Sequence, residues 1–234
     1  MPEIPSSAGE QHPSAPEDVL VQSLPAISRL ALAYAPGEAR MPTLALLALD
    51  ARLAGLLRNS REPMLAQLRL SWWRETLARE AEEWPEGEPL LSALRSWSGT
   101  HGSLTVLVDG WEALTGPAPL PVEGLEAMIE GRAEAFSGLA RALSREKEAG
   151  KAYRLGRRWA AADLAMRLGH PEEREAATRL ATQAQGRPER VSRSLRPLMV
   201  LHGLADRRLA KGDEDAALSP AAMLKAMRLG LFGV

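Results

Sequence analysis

The stretch TLALLALDARLAGLLRNSREPMLAQLRLSWWRETL, residues 43–77, contains two consecutive apolar patterns with helical spacing, separated by SREP. In the first pattern, leucines and alanines fall on one helix face with Asp50 among them. In the second, leucines and both tryptophans, Trp72 and Trp73, cover one broad face, and Arg69 falls near its middle. We therefore predict two core helices, each with one ionisable residue in its buried face.

Asp50 and Arg69 need partners in such a setting, because an isolated buried charge costs several kcal/mol or more. We predict that the two residues neutralise each other as a buried ion pair. In the alternative, both face a polar cavity that holds an anionic ligand, with Trp73 beside them. Asp163 is a further candidate for either role, since it is the one acid within the helical pattern of residues 153–168.

The composition outside this stretch predicts an all-α protein. Helix-forming residues dominate, with only two Phe and two Tyr, and no apolar run is long enough to span a membrane. Cysteine is absent and the four histidines are scattered, which disfavours a Cys or His metal site and a Cys nucleophile. A net charge of -1 gives no basic field for nucleic acid, so we expect no nucleic-acid partner.

The chain is expected to contain a disordered leader, residues 1–17, followed by one helical domain, residues 18–234. The leader is rich in Pro, Ser and Glu and lacks the pattern of a signal peptide. At the other end, SPAAMLKAMRLGLFGV, residues 219–234, is an amphipathic helix that begins with Ser219 as its cap. We expect this helix, whose apolar positions are Met223, Leu224, Met227 and Leu231, to pack on the bundle. Contact with an acidic lipid surface is the alternative.

Four segments resemble the squalene/phytoene synthase family: residues 29–77, MIEGRAEAF (128–136), YRLGRRWAAADLAMRLGHPEE (153–173) and LRPLMVLHGLADRRLAKG (195–212). The chain is most similar to short, divergent bacterial members that resemble the respiratory complex I assembly factor branch. The resemblance implies an isoprenoid (terpenoid) synthase-type helical bundle with a central cavity. It also implies two inward-facing Asp-x-x-x-Asp motifs, whose carboxylates hold Mg²⁺ against the diphosphate of a prenyl substrate.

The sequence departs from that family at both motifs. The first acid pair aligns with Ala54 and Arg58, and the second falls near Arg167 and Pro171. Asp50 and Asp163 therefore stand without an acid partner at i±4. Glu130 and Glu134 form an i, i+4 carboxylate pair nearby, which is a weak site candidate because such pairs are common on solvated helices. We expect no metal, cofactor or catalytic residue.

Three functions follow from the sequence. The first, which we favour, is a non-catalytic descendant of the synthases, a pseudoenzyme that binds an isoprenoid, another lipid or a protein partner, or acts as an assembly factor. It would be cytoplasmic, either free or peripheral at a membrane. The second is an active prenyltransferase that condenses two prenyl diphosphates with Mg²⁺, and the third is a structural helical protein without a ligand. The sequence itself leaves open whether the chain is an enzyme.

Overall fold

A computed structural model describes residues 16–59, 62–97, 99–186, 189–212 and 219–233, which fold into eleven α-helices without a β-strand. The helices are α1 (Pro16–Ser23), α2 (Ala26–Leu32), α3 (Gly37–Asn59), α4 (Pro63–Leu77), α5 (Pro89–Leu94), α6 (Thr105–Glu112), α7 (Val122–Ala142), α8 (Ala149–Arg167), α9 (Pro171–Gln183), α10 (Arg196–Lys211) and α11 (Pro220–Met227). Short 3-10 turns join several of them, and a π-helical turn, Arg228–Phe232, follows α11. Residues 1–15 of the predicted leader lie outside the described residues, and its last two open α1.

Helices α7 and α8 form the centre of the bundle. Helix α7 packs between α6 and α8, and α8 also packs on α9 and α10. Helix α3 reaches the same centre from the other side, with contacts to α5, α4 and α7. The reason lies in the sequence of α7, where Leu125, Met128, Phe136 and Leu139 recur at helical spacing and are fully buried.

Two glycines allow the central helices to approach closely. A Cβ placed on Gly131 of α7 would lie 2.5 Å from the Val106 carbonyl oxygen of α6. A Cβ placed on Gly156 of α8 would lie 2.8 Å from the Ala133 Cα of α7. Any larger residue would push the helices apart at these two crossings. Because Arg132 lies next to both crossings in α7, its side chain is held close to α6 and α8.

Helix α4 is an edge helix, which corrects the prediction of one broad buried face. It packs on α3 and α6 through Ala66, Leu70, Trp73 and Leu77. Its other apolar residues are exposed: Met64 by 71%, Leu65 by 45%, Leu68 by 61% and Trp72 by 43%. The two adjacent indoles meet edge to face, with centroids 5.0 Å apart, so Trp73 is in the core and Trp72 covers it from outside.

Helix α11 begins as predicted, with the Ser219 hydroxyl accepting a hydrogen bond from the Ala222 amide. As expected, the helix packs on the bundle, where it contacts α10. The contact uses its small residues, whereas its large apolar residues Met223, Leu224, Met227 and Leu231 are exposed. None of the helices in the described residues combines the length and the apolar character needed to cross a bilayer.

Candidate functional site

A buried arginine joins three helices at the centre of the bundle. The Arg132 guanidinium of α7 donates to both carboxylate oxygens of Asp50 in α3, from Nε at 3.1 Å and from Nη2 at 3.0 Å. Its Nη1 donates to Oδ2 of Asp163 in α8, also at 3.0 Å. The side chains of Arg132 and Asp163 are 4% exposed and that of Asp50 is 14% exposed. All three guanidinium nitrogens are therefore used in charge-assisted hydrogen bonds in an almost dry site.

Aromatic rings enclose the Arg132 guanidinium. Its central carbon lies 4.4 Å from the ring centroid of Trp159 and 5.1 Å from that of Trp111. The Trp111 indole also donates a hydrogen bond of 3.0 Å to Oδ1 of Asp50, and Trp159 stacks on Phe136. These contacts stabilise the cation by cation–π attraction and keep water away from the ion pairs.

Asp163 is surrounded by further arginines. Nε of Arg167, one turn later in α8, donates to its Oδ1 at 2.8 Å. Nη1 of Arg208 in α10 lies 3.6 Å from the same oxygen. Asp163 thus lies within reach of three guanidinium groups, which favour its ionised form.

The pKa directions agree with this geometry. Burial raises the pKa of Asp163, but the charges of Arg132 and Arg167 outweigh burial and hold the pKa below its ordinary value. Burial likewise lowers the pKa of Arg132, and the charges of Asp50 and Asp163 outweigh it and raise the pKa. Both residues stay charged over the whole physiological pH range.

The predicted ion pair between Asp50 and Arg69 is wrong. Arg69 lies on the exposed side of α4 and makes no hydrogen bond or ion pair with any described residue. With Trp72 and Trp73 it lines a shallow surface groove between α3 and α4. The physical reason is the edge position of α4, which turns the middle of its apolar arc to solvent. Asp50 and Asp163 both bind Arg132 at the centre of the bundle, whereas Arg69 and Trp73 line the groove between α3 and α4.

The carboxylates of Glu130 and Glu134 do not act together. The Tyr153 hydroxyl donates to Glu130 at 2.6 Å, and Arg141 lies 3.8 Å from Glu134. Burial and the hydrogen bond to Glu130 raise the pKa of Tyr153. Each of the two glutamates therefore interacts with a different residue.

The sequence reasoning missed Arg132, although the signal was present. Arg132 lies at helical spacing within the run of buried residues Met128, Ile129, Ala135 and Phe136. A cation in an apolar stripe is the same signal that singled out Asp50.

Part of the chain matches a known protein family. Residues 28–137 match the squalene/phytoene synthase family. The match runs from α2 to α7 and includes Asp50 and Arg132, while Asp163 lies beyond its end. It supports the resemblance drawn from the sequence, and the fold of this squalene/phytoene synthase-like chain is all-α and of the isoprenoid synthase type. No curated protein and no solved structure matches the chain.

The residues of this squalene/phytoene synthase-like chain do not fit the magnesium site of that family. All four carboxylate oxygens of Asp50 and Asp163 accept hydrogen bonds from an arginine or from Trp111. A divalent cation there would have to displace the Arg132 guanidinium from between the two acids. Within the described residues, no group of three or more acids, histidines or cysteines could hold a metal.

The space at the centre is also filled. The residues around the ion pairs, among them Leu46, Leu107, Phe136 and Trp159, leave no room for a water-sized sphere. The family resemblance implied a central cavity, and here Arg132 and its aromatic neighbours occupy that space. A prenyl chain cannot enter without repacking the core.

A separate cavity of about 370 Å³ lies on the outer side of α8, between α9, α10 and the C-terminal segment. Apolar residues form much of its wall, among them Leu155, Ala181, Met199 and Leu229. The His202 ring also lines it, and its buried Nδ1 has no hydrogen-bond partner in another described residue. Burial lowers the pKa of His202, so the ring is neutral and can bond a polar head group.

Proposed function

We propose that this squalene/phytoene synthase-like chain is a non-catalytic member of the fold that binds a lipid or a protein partner. The observation that carries the proposal is the position of Arg132 between Asp50 and Asp163. In the family chemistry implied by the resemblance, acids at the centre hold metal ions that neutralise a leaving diphosphate. Here the acids neutralise an arginine of the same chain and are not free to do so.

Because Arg132 neutralises the two carboxylates, Asp50 and Asp163 have a structural role. Removing it would leave two buried carboxylates close together without a counter-charge, which is strongly unfavourable. Asp50 and Asp163, which lie outside the aligned motif positions, therefore hold an arginine at the centre of the bundle in place of a metal. We accordingly propose that the chain needs no metal or cofactor. We also propose that its role is similar to that of the assembly factor branch, which its sequence resembles.

The cavity beside His202 is the binding site we propose for a lipid. Its volume falls within the range typical of small-molecule sites, and its apolar residues together with the neutral His202 ring suit an isoprenoid carrying a hydroxyl or carbonyl head. The charged residues of its lining balance, with Arg158 and Lys225 against Glu189 and Asp206, and Lys225 lies 3.4 Å from Asp206. A charged diphosphate is therefore a poorer ligand than an uncharged isoprenoid.

An activity assay tests the first half of the proposal. Purified protein is incubated with geranylgeranyl or farnesyl diphosphate and Mg²⁺, and pyrophosphate release is measured beside an active phytoene synthase. We expect release no faster than in buffer. Mg²⁺-dependent release that disappears in Asp50→Asn and Asp163→Asn variants would establish the prenyltransferase alternative instead.

A binding assay tests the second half. Native mass spectrometry with added farnesol should give a one-to-one complex, and Ala181→Leu, which fills the cavity, should weaken binding roughly tenfold. Ala210→Leu is the matched control, because Ala210 is exposed on α10 and does not line the cavity. Equal farnesol binding by both variants would place the ligand elsewhere, and no binding to the wild type would favour a protein partner.

A further inference from the structure

The C-terminal segment, residues 219–233, has its small residues inside and its large apolar residues outside. Ala222, Ala226 and Gly230 recur every four residues and are buried against the bundle. The exposed residues are Met223 (45%), Leu224 (62%), Met227 (47%), Leu231 (51%) and Phe232 (66%). A helix on the surface of a globular protein normally buries such side chains. The reversed pattern indicates a face built to contact something apolar.

This orientation is fixed by tight contacts on the inner side. A Cβ on Gly230 would lie 2.2 Å from the ring of Tyr34, which follows α2, so only glycine allows the segment to approach this ring so closely. Arg196 of α10 donates to the Leu231 carbonyl oxygen, and the Ser219 hydroxyl caps the start of α11. The segment could not rotate its large residues inward without breaking these contacts.

The charges on this segment are all positive. Lys225 and Arg228 are its ionisable side chains, and no acid occurs in residues 219–233. Lys225 is paired with Asp206 of α10 at 3.4 Å, so Arg228 is the cation of this segment that is available to an anionic surface. Arg228 is exposed and has no ion pair with a described residue. Lys211, at the end of α10, is exposed in the same way. The acids Asp213–Asp215 precede the helix in the sequence and lie outside the described residues.

We propose that the exposed apolar face of residues 219–233 lies on an anionic lipid surface. A helix with Leu, Met and Phe on one side and cations beside them inserts its apolar side chains at the boundary of head groups and acyl chains. The cations then meet the negative potential of the surface. This inference does not depend on the proposed function.

Vesicle co-sedimentation tests the proposal with the full chain. The protein should bind vesicles of phosphatidylcholine mixed with phosphatidylglycerol and should bind phosphatidylcholine alone much more weakly. Leu224→Ser together with Phe232→Ser should reduce binding by tenfold or more, roughly the effect of losing two buried apolar side chains. Arg228→Gln should weaken binding roughly fivefold, and raised salt should weaken it further.

The matched control is Leu68→Ser on α4, because Leu68 is 61% exposed and Leu224 is 62% exposed. It should leave vesicle binding within about twofold of the wild type, and circular dichroism should show all variants folded, since exposed substitutions rarely destabilise. Absent binding, equal binding to both lipid mixtures, or equal losses for Leu68→Ser and Leu224→Ser would each overturn the proposal. So would a wild-type dimer that Leu224→Ser makes monomeric, because a second copy would then cover the face.

Discussion

Replacing Arg132 with methionine should destabilise the protein more than any conservative change at an exposed arginine. Methionine keeps much of the length and the apolar stem of arginine but removes the charge and all donors. Asp50 and Asp163 would then lie buried with no cation between them. Among the described residues, Asp163 would retain Arg167 and Arg208, whereas Asp50 would keep the Trp111 indole alone. Asp50 would therefore bear most of the cost.

The expected magnitude follows from the geometry. Removing one partner of a buried ion pair costs about 3–5 kcal/mol, because the other charge stays desolvated. The lost contacts with two tryptophan rings add up to roughly 2 kcal/mol, while partial hydration of Asp50, which is 14% exposed, offsets some of the loss. We expect a decrease of about 4 kcal/mol in the free energy of unfolding. A typical domain has a free energy of unfolding of about 5–15 kcal/mol, so the variant would be marginally stable and its unfolding would still be measurable.

Urea unfolding followed by tryptophan fluorescence measures this decrease directly. Arg69→Met is the control: Arg69 is exposed without a partner in the described residues, so its loss should change stability by less than about 0.5 kcal/mol. A second substitution, at Asp50, makes the test more specific. Asp50→Asn alone should destabilise the protein, but added to Arg132→Met it should restore stability because it removes the orphaned charge. Equal effects of Arg132→Met and Arg69→Met, or a further loss in the double variant, would refute the reasoning.

The other predictions concern packing and pH. Gly131→Ala should lower the free energy of unfolding by about 1–3 kcal/mol, because its Cβ would lie 2.5 Å from a backbone oxygen of α6. Gly55→Ala should raise it by about 0.5–1 kcal/mol in the same unfolding assay, because its Cβ meets nothing closer than 4.0 Å. Similar signs for both glycines would contradict the close-crossing argument. For pH, burial lowers the pKa of His202, so the unfolded chain binds more protons between the folded pKa and the ordinary value, and stability should rise with pH across that window. His202→Gln should reduce this rise between about pH 5.5 and about pH 7.5, where histidine titrates, and an unchanged rise would show that other groups cause it.

The sequence determined the all-α class, the need of Asp50 for a partner, and the loss of the paired acids. Each of these depends on composition or on spacing within a single helix, which is visible without knowing the neighbours. The same reasoning applied to MIEGRAEAF would have selected Arg132 as a buried cation.

Only the tertiary structure decided which cation neutralises Asp50. Arg69 is close in sequence, but Arg132, 82 residues away, is the partner because α7 packs against α3. The structure also decided which apolar faces are covered. Helical spacing gives the direction in which a side chain points from its own axis, and it does not say whether another helix lies there. For that reason α4, predicted to bury a broad face, and α11, predicted to pack on the bundle, both have large apolar residues facing solvent.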